Sequence, residues 1–508
     1  MDNPTFFLLL PLFLLTFIYV FTISSRRNHR RLPPGPYPFP IIGNLLELSN
    51  KPHRSLAALS KRYGPLMSLK LGSSRTTIVV SSPDIAQELF HKHDQLFSSR
   101  SVPETARIMD HHKYSLVWLP AGDQWRRLRR ITKECFFSGH CLDGSQQLRM
   151  QKVQELVNYV GKCCQEEKAV NIGEVAFTTS LNILSNLLFS TDFSQYDSMS
   201  SQEIKDVIWG VMEVGGKPNL VDFFPILRPL DPQGLTSQCS VYANKLFAIF
   251  DSIIDQRLQA RRISSSSYDN HSSTQNDVLD LLLNISFKDE SEFSINDMKH
   301  LFSDLFVAGT DTVSTTLEWA MTELIRNPKE MEIARLELIK CMQSNDKILQ
   351  ERDIPQLPYL HAVIKETLRL HPPAPFLIPH EATHDVEVEG FIVPKDAQIL
   401  CNVWAIGRDP NVWSNTNEFM PERFLDVEVD YRGQDFNLIP FGAGRRMCPG
   451  LNIAHRMLHT ILGSLIYNFD WKLEGNMKAQ DLDMEEKFGL TLPRNVPLMA
   501  IPVKCDPL

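Results

Sequence analysis

A chain of 508 residues, 43% hydrophobic and 22% charged, has enough apolar sequence for a large core, and no shift in composition divides its body into separate domains. Its net charge of −8 excludes the basic balance of a nucleic-acid-binding chain. The nine cysteines are odd in number and have no CxxC pairs, so they make no disulfide framework and fit a reducing compartment.

Phe6 to Ile23 carries no charge. As a helix rising about 1.5 Å per residue it spans just under the ~30 Å hydrocarbon core of a bilayer. Asp2 precedes it, and Arg26, Arg27, Arg30 and Arg31 follow it. A cleaved signal peptide has a basic start and a small-residue cleavage site. The opposite order here predicts an uncleaved anchor with its C-terminal side in the cytosol. The expected plan is a membrane anchor over 1–25, a basic and proline-rich linker over 26–43 and one large domain over 44–508. On that orientation the sequons Asn270-His271-Ser272 and Asn284-Ile285-Ser286 stay unglycosylated.

In Leu32-Pro33-Pro34-Gly35-Pro36-Tyr37-Pro38-Phe39-Pro40 the proline density forbids helix and favours extended chain, so it reads as a spacer between anchor and domain. Leu66 to Leu71 and Thr76 to Ser81 predict short strands, interrupted by Gly72 and ended at Pro83. Nearly every other long segment is helical, giving a fold that is mainly α with small β-sheets. Asp123-Gln124-Trp125-Arg126-Arg127-Leu128-Arg129-Arg130 opens a helix in which Trp125 and Arg129 share a face. Taken alone, that face is a basic amphipathic surface. Ser264 to Ser267 and the polar residues up to Asn276 read as an exposed loop between helices.

Ser294 begins a helix that runs to Asn327 and stops before Pro328. Met298, Leu301 and Leu305, then Leu317, Ala320, Met321 and Leu324, keep helical period on either side of a polar interruption, Ala308-Gly309-Thr310-Asp311-Thr312. A glycine inside a helix costs about 1 kcal/mol relative to alanine. The plain structural account of this stretch is a threonine bonding back to the Ala308 carbonyl. Glu366-Thr367-Leu368-Arg369 then sets opposite charges three apart on one helical face, before His371-Pro372-Pro373 ends the helix. As a surface pair they contribute only about 0.3–0.5 kcal/mol. Pro421-Glu422-Arg423-Phe424 lies downstream.

Phe441-Gly442-Ala443-Gly444-Arg445-Arg446-Met447-Cys448-Pro449-Gly450 packs three glycines and a proline into ten residues. The glycines allow positive φ and close approach to a flat object, and Pro449 suits the first turn of a following helix. Cys448 is thus expected near a helix N-terminus with Arg446 two residues away, where a thiol of reference pKa ~8.5 becomes a thiolate. The loop holds neither a histidine base for nucleophilic catalysis nor a second cysteine for zinc. An axial thiolate on a heme iron remains, with Arg446 placed to pair with a propionate. A buried structural cysteine beside a glycine-rich turn is the alternative that the loop alone leaves open.

Phe441, Gly444, Arg446, Cys448 and Gly450 stand at the spacing of the heme-binding signature of the cytochromes P-450, and the chain resembles that family over its whole length. The resemblance implies the cytochrome P-450 fold behind a single N-terminal transmembrane helix, with heme b on Cys448 as axial ligand of the iron. It implies that Arg446, Phe441, Gly442 and Gly450 shape the heme loop and that Trp125 and Arg129 reach a propionate. His380 does so too, unless it is a surface histidine. Ala308 to Thr312 matches the oxygen-activation motif: Ala308 and Gly309 make room for O2, Thr312 holds it, and Asp311 helps relay protons. Val313 stands where relatives usually carry a hydroxyl. Glu366, Arg369 and Arg423 resemble the ExxR and PERF pair, a structural lock behind the heme loop.

The family's partner is NADPH-cytochrome reductase, for which Arg126, Arg130, Lys133 and Arg445 are the expected docking face. Its substrate regions fall on Ser101 to Leu119, on Phe302, Phe306 and Ala308, on Ala374 to Ile378 with Phe376 and Leu377, and on Phe488 to Thr491 with Leu490. Their apolar content implies a small apolar substrate. Gly216 to Pro225, Leu317 to Met321, Trp404 to Asp409 and Asp481 to Gly489 resemble the plant geraniol hydroxylase family. Its members oxidise monoterpenols, sesquiterpenes, abietane diterpenes and, in one lineage, tyrosine and its catechol. The implied activity is a monooxygenase of the endoplasmic reticulum membrane, with a cytosolic domain that uses O2 and NADPH-derived electrons to hydroxylate a terpenoid. The alternatives are a tyrosine or catechol hydroxylase, a non-oxygenating heme-thiolate isomerase or dehydratase, and a membrane-anchored heme sensor. The intact Asp311-Thr312 pair argues against the isomerase or dehydratase, and a sensor has no need of it.

Overall fold

The computed structural model describes Phe13, Thr16, Phe17 and residues 31–505, apart from 74, 197–201, 267–276, 291 and 343–347. The expected anchor over 1–25 therefore lies outside the described residues, save those three, which are helical. Most of the polar patch up to Asn276 does as well. Ser264 to Ser266, expected to begin a loop, instead continue the helix Leu235–Ser266.

The first two strands form where expected, β1 over Leu66–Leu71 and β2 over Arg75–Val80, antiparallel with Leu66 opposite Val80. With β3 (Ser99–Arg100), β4 (His380–Glu381) and β5 (Gln398–Cys401) they make a five-stranded sheet in the order β1-β2-β5-β4-β3. Its two faces bury alternate residues, as the two-residue strand period requires. Ile78 and Val80 pack with Ile399 on one side, while Met67, Leu69 and Val79 pack with Leu400 on the other. In the register, Arg100 of β3 stands opposite His380 of β4.

The proline-rich segment is not a free spacer. Ser68 donates its N–H to the Pro34 carbonyl and its hydroxyl to the Pro33 carbonyl, and Pro33 and Pro36 are buried. Gly35 lies against the Ser68 carbonyl so closely that a Cβ would overlap it. From residue 32 onward, then, the chain is docked on β1.

The helices form one continuous core. They include α1 (Asp123–Thr132), α2 (Gln146–Gln165), α3 (Ile172–Phe189), α4 (Leu235–Ser266), α5 (Ile295–Arg326), α6 (Pro358–Leu370) and α7 (Leu451–Asn468). Among the described residues α3 is long and apolar enough to cross a bilayer, but it is buried within the protein. At the start of α5, Ser294 and Asp297 form a reciprocal capping box, and Asn327 caps its end before Pro328. The polar interruption does not break this helix: the Thr310 and Thr312 hydroxyls donate to the Phe306 and Ala308 carbonyls at 2.7 Å. Gly309 has a packing reason, since a Cβ there would press on Leu184 of α3 at 2.8 Å.

Glu366 and Arg369 of α6 are both fully buried and form a two-pronged pair at 2.7 Å. Glu366 also accepts from Arg423 Nε at 3.0 Å and from the Met420 N–H at 2.9 Å. Arg369 donates onward to the carbonyls of Gly407, Thr416 and Glu418. One carboxylate and two guanidiniums thus pin the long irregular segment that leads to the cysteine loop. Removing one partner of a buried pair leaves an uncompensated charge and costs about 3–5 kcal/mol. Glu366→Ala and Arg369→Ala proteins are expected to lower the urea midpoint by that margin and to yield little heme-loaded protein. A midpoint within error of the parent would show that the pair does not hold the segment.

Candidate active site

The loop before α7 is a tight fold around one sulfur. Gly442 and Gly444 sit at φ of 73° and 63°, where a side chain is strained. The Cys448 N–H donates to the Phe441 carbonyl at 2.9 Å. The Cys448 sulfur accepts from the N–H groups of Gly450 and Leu451, at the N-terminus of α7, with Gly450 as the cap. Phe441 is half-buried against Tyr431, ring centroids 5.4 Å apart.

The expected pairing of Cys448 with Arg446 is not what forms. Arg446 turns its guanidinium away, donating to the carbonyls of Ser98 and Leu116 and to that of Leu119, and stacks 4.5 Å from the Trp125 ring. The cation that acts on the sulfur is Arg129, which donates to the Met447 carbonyl at 2.6 Å. Burial outweighs Arg129 and the two N–H groups, so the thiol pKa is raised rather than lowered. A metal cation at the sulfur reverses that balance, because a coordinating thiol is deprotonated outright.

Cys448 is surrounded by protein on every side, yet its surface is open. Ala308 is likewise exposed halfway along the otherwise buried α5, with Gly309 and Thr312 half-exposed beside it. An interior space between α5 and the cysteine loop accounts for both. At its edge sit three guanidiniums and an imidazole. Arg100, Arg446 and His380 are buried and Arg129 is half-buried. None of the three arginines forms an ion pair among the described residues, and Arg100 Nε has no hydrogen-bond partner at all. Burial and mutual repulsion push Arg446 down to about 10 and Arg100 well below its usual value. His380 is held neutral by burial, with Nδ1 2.6 Å from the Phe97 carbonyl, which excludes the surface alternative. Uncompensated buried cations call for anions. A flat group with two carboxylates and a metal that takes a thiolate fits this cradle: heme.

Trp125 stands among these groups but donates its N–H to the Leu116 carbonyl, so it braces the site rather than presenting a donor to it. Sequence reasoning missed Arg100. It carries no motif and joins the site only because β3 pairs with β4.

Asp311 and Thr312 diverge. Thr312 faces the interior space, while Asp311 is buried and accepts a hydrogen bond from the Thr491 hydroxyl. Burial raises the Asp311 carboxyl to about 6. Thr491 is thus a second residue beyond the motifs. The expected substrate residues divide likewise. Phe302 and Phe306 are fully buried in an aromatic cluster with Phe189 and Phe250 and expose no surface. Phe376 packs under the sheet against Phe488. Ala308, half-buried Leu377 and exposed Leu490 retain free surface, and Leu377 holds a positive φ of 55°. Of the expected docking cations, Arg126, Arg130 and Arg445 already pair with Asp123, Glu292 and Asp94. Lys133 is exposed.

A helical fold with a cysteine under a helix N-terminus, a glycine-bearing helix across from it and unpaired buried arginines between them defines a heme-thiolate protein. The chain belongs to the cytochrome P-450 family, whose model matches residues 33–499. It is 53% identical over 488 residues to cytochrome P-450 76T24 of Catharanthus roseus, covering 96% of each chain. With geraniol 8-hydroxylase of the same plant the identity is 50% over 502 residues, 99% of each. With ferruginol synthase of Salvia miltiorrhiza it is 45% over 495 residues, 97% of this chain and 99% of that one. The protein is a cytochrome P-450 monooxygenase, using heme b, O2 and electrons derived from NADPH through a redox partner.

Two outcomes test the site. A Cys448→Ala protein is expected to lose the red-shifted Soret band of the reduced carbonyl complex, and retention of the band would refute the ligand. For Asp311, the folded pKa of about 6 lies above the usual ~3.9 of an unfolded aspartate. Between those values the folded state binds more protons, so stability falls as pH rises from about 4 to 6. Asp311→Asn, which can still accept from Thr491, is expected to flatten that slope in denaturation midpoints. An unchanged slope would remove Asp311 as its source.

Proposed function

We propose that this protein is a single-pass enzyme of the endoplasmic reticulum membrane that hydroxylates a terpenoid. The observation that carries this reading is the chemistry of the free interior surface. Ala308 and Leu377 keep free apolar surface, and the buried carboxylates Asp304 and Asp311 are committed elsewhere. Asp304 accepts from the Ser115 hydroxyl and the Leu116 N–H, both at 2.7 Å, and Asp311 accepts from Thr491. A substrate bearing ammonium and carboxylate needs desolvated charged partners, and Asp304 and Asp311 are already engaged; a terpenoid needs none. That favours the terpenoid over tyrosine. The names of two relatives, a geraniol 8-hydroxylase and a ferruginol synthase, support the same class.

Heme bound at Cys448 supplies the oxygen chemistry. The chain's part is positional. Ala308 leaves room above the cysteine, and Leu377 and Leu490 contact the substrate. Thr312 spends its proton on the Ala308 carbonyl, so its oxygen lone pairs accept a hydrogen bond from water. Asp311, titrating at about 6, holds or releases a proton at its carboxyl close to working pH. The uncharged stretch Phe6 to Ile23 with four arginines after it supports the anchor. The apolar surfaces of Phe13 and Phe17 fit it too, at 71% and 63% exposed.

The test is microsomes holding this chain and a plant reductase, given NADPH with geraniol, a sesquiterpene, an abietane diterpene or tyrosine. Mass spectrometry is expected to find a product one oxygen heavier from a terpenoid and none from tyrosine. Product from tyrosine alone would overturn the substrate class.

A further inference from the structure

Three histidines converge behind the cysteine loop, outside the heme cradle. His455 and His459 stand four apart on one face of α7, and His361 meets them from α6. One ring nitrogen of each lies within 4.8 Å of those of the other two. His361 Nδ1 and His459 Nε2 are 3.1 Å apart. Two nitrogens bound to one tetrahedral Zn2+ at about 2.0–2.1 Å stand about 3.3 Å from each other, so this pair already has nearly the spacing of one coordination edge.

The outer partners of the rings fix where their lone pairs lie. His459 Nδ1 donates to the His455 carbonyl at 2.7 Å, which leaves the lone pair on Nε2. His455 Nδ1 is 2.6 Å from the Tyr431 hydroxyl, and donation to that oxygen leaves Nε2 as the ligand atom. Ring N–H bonds of this kind orient metal-binding imidazoles. His361 Nδ1 hydrogen-bonds His459 when no ion is present. On binding, its proton moves to Nε2, and the freed lone pair takes the metal. Burial keeps the imidazoles neutral, with His361 and His455 both at about 4. Of the nearby cations, Arg432 pairs with Asp430 and Arg456 with Glu351, which leaves the Lys365 ammonium acting on His361. Three neutral imidazoles suit Zn2+ and not Mg2+ or Ca2+, which take oxygen ligands.

We propose that His361, His455 and His459 form a Zn2+ site, completed by water, that cross-links α6 to α7. Tyr431 links it to the heme loop, since its ring meets Phe441, whose carbonyl accepts the Cys448 N–H. The experiment is calorimetric titration of untagged, chelator-dialysed holoenzyme with Zn2+, beside His361→Gln and His455→Gln. The parent is expected to bind one equivalent and to gain in Tm. Each variant should bind at least tenfold more weakly, with no gain in Tm and with the reduced carbonyl spectrum intact. Equal affinity in all three proteins, or no saturable equivalent in the parent, would overturn the site.

Discussion

Three guanidiniums, two buried and one half-buried, that form no ion pair among the described residues are the feature on which this fold turns. Arg100 comes from the sheet, Arg129 from α1 and Arg446 from the cysteine loop, and each raises the cost of burying the others. Desolvating a cation without a partner costs several kcal/mol. A chain that gathers three of them depends on an anionic cofactor to complete its core. Their existing bonds go to backbone carbonyls of Ser98, Leu116, Ile378 and Met447, the segments that surround the interior space. The same guanidiniums thus brace these segments and would meet the anionic cofactor.

The long helix α5 serves three requirements at once because successive residues point about 100° apart. Thr312 and Ala308, four apart, face the interior. Asp311 turns toward Thr491 in the C-terminal loop, and Gly309 lets α3 pack close. The interruption that reads as a defect in a buried helix is thus three solutions on three faces. The threonine back-bonds keep the helix continuous through it, so the plain structural account and the functional one describe the same hydroxyl in two duties.

Motifs that act within a few residues were legible in the sequence. The Glu366 and Arg369 pair and the cysteine loop appear where spacing put them, because local geometry fixes their partners. What the spacing could not supply was direction at long range. Arg446 lies two residues from Cys448 yet turns toward Ser98, and the nearer cation, Arg129, comes from more than three hundred residues upstream. Phe302 and Phe306 have the apolar character of pocket residues, but the aromatic cluster with Phe250 of α4 claims both. Arg100 had no local signal, since only strand pairing brings it in, and Thr491, expected in a substrate turn, instead meets Asp311 through the return of the C-terminal loop. The proline-rich segment is extended as expected, and its docking had no signal because extended chain also adds to a strand edge, which β1 offered.

That docking bears on how the domain would meet the proposed anchor. A stiff but free spacer would let the domain tumble over the membrane, whereas here the chain is held on β1 from Pro33 onward. Just beyond it, Phe39, Ile41 and Leu46 are exposed. Burying such side chains in a bilayer interface gains free energy in proportion to their apolar area. On the proposed anchoring, that gain would act at high effective concentration, and the docked segment would share in setting the orientation of the domain.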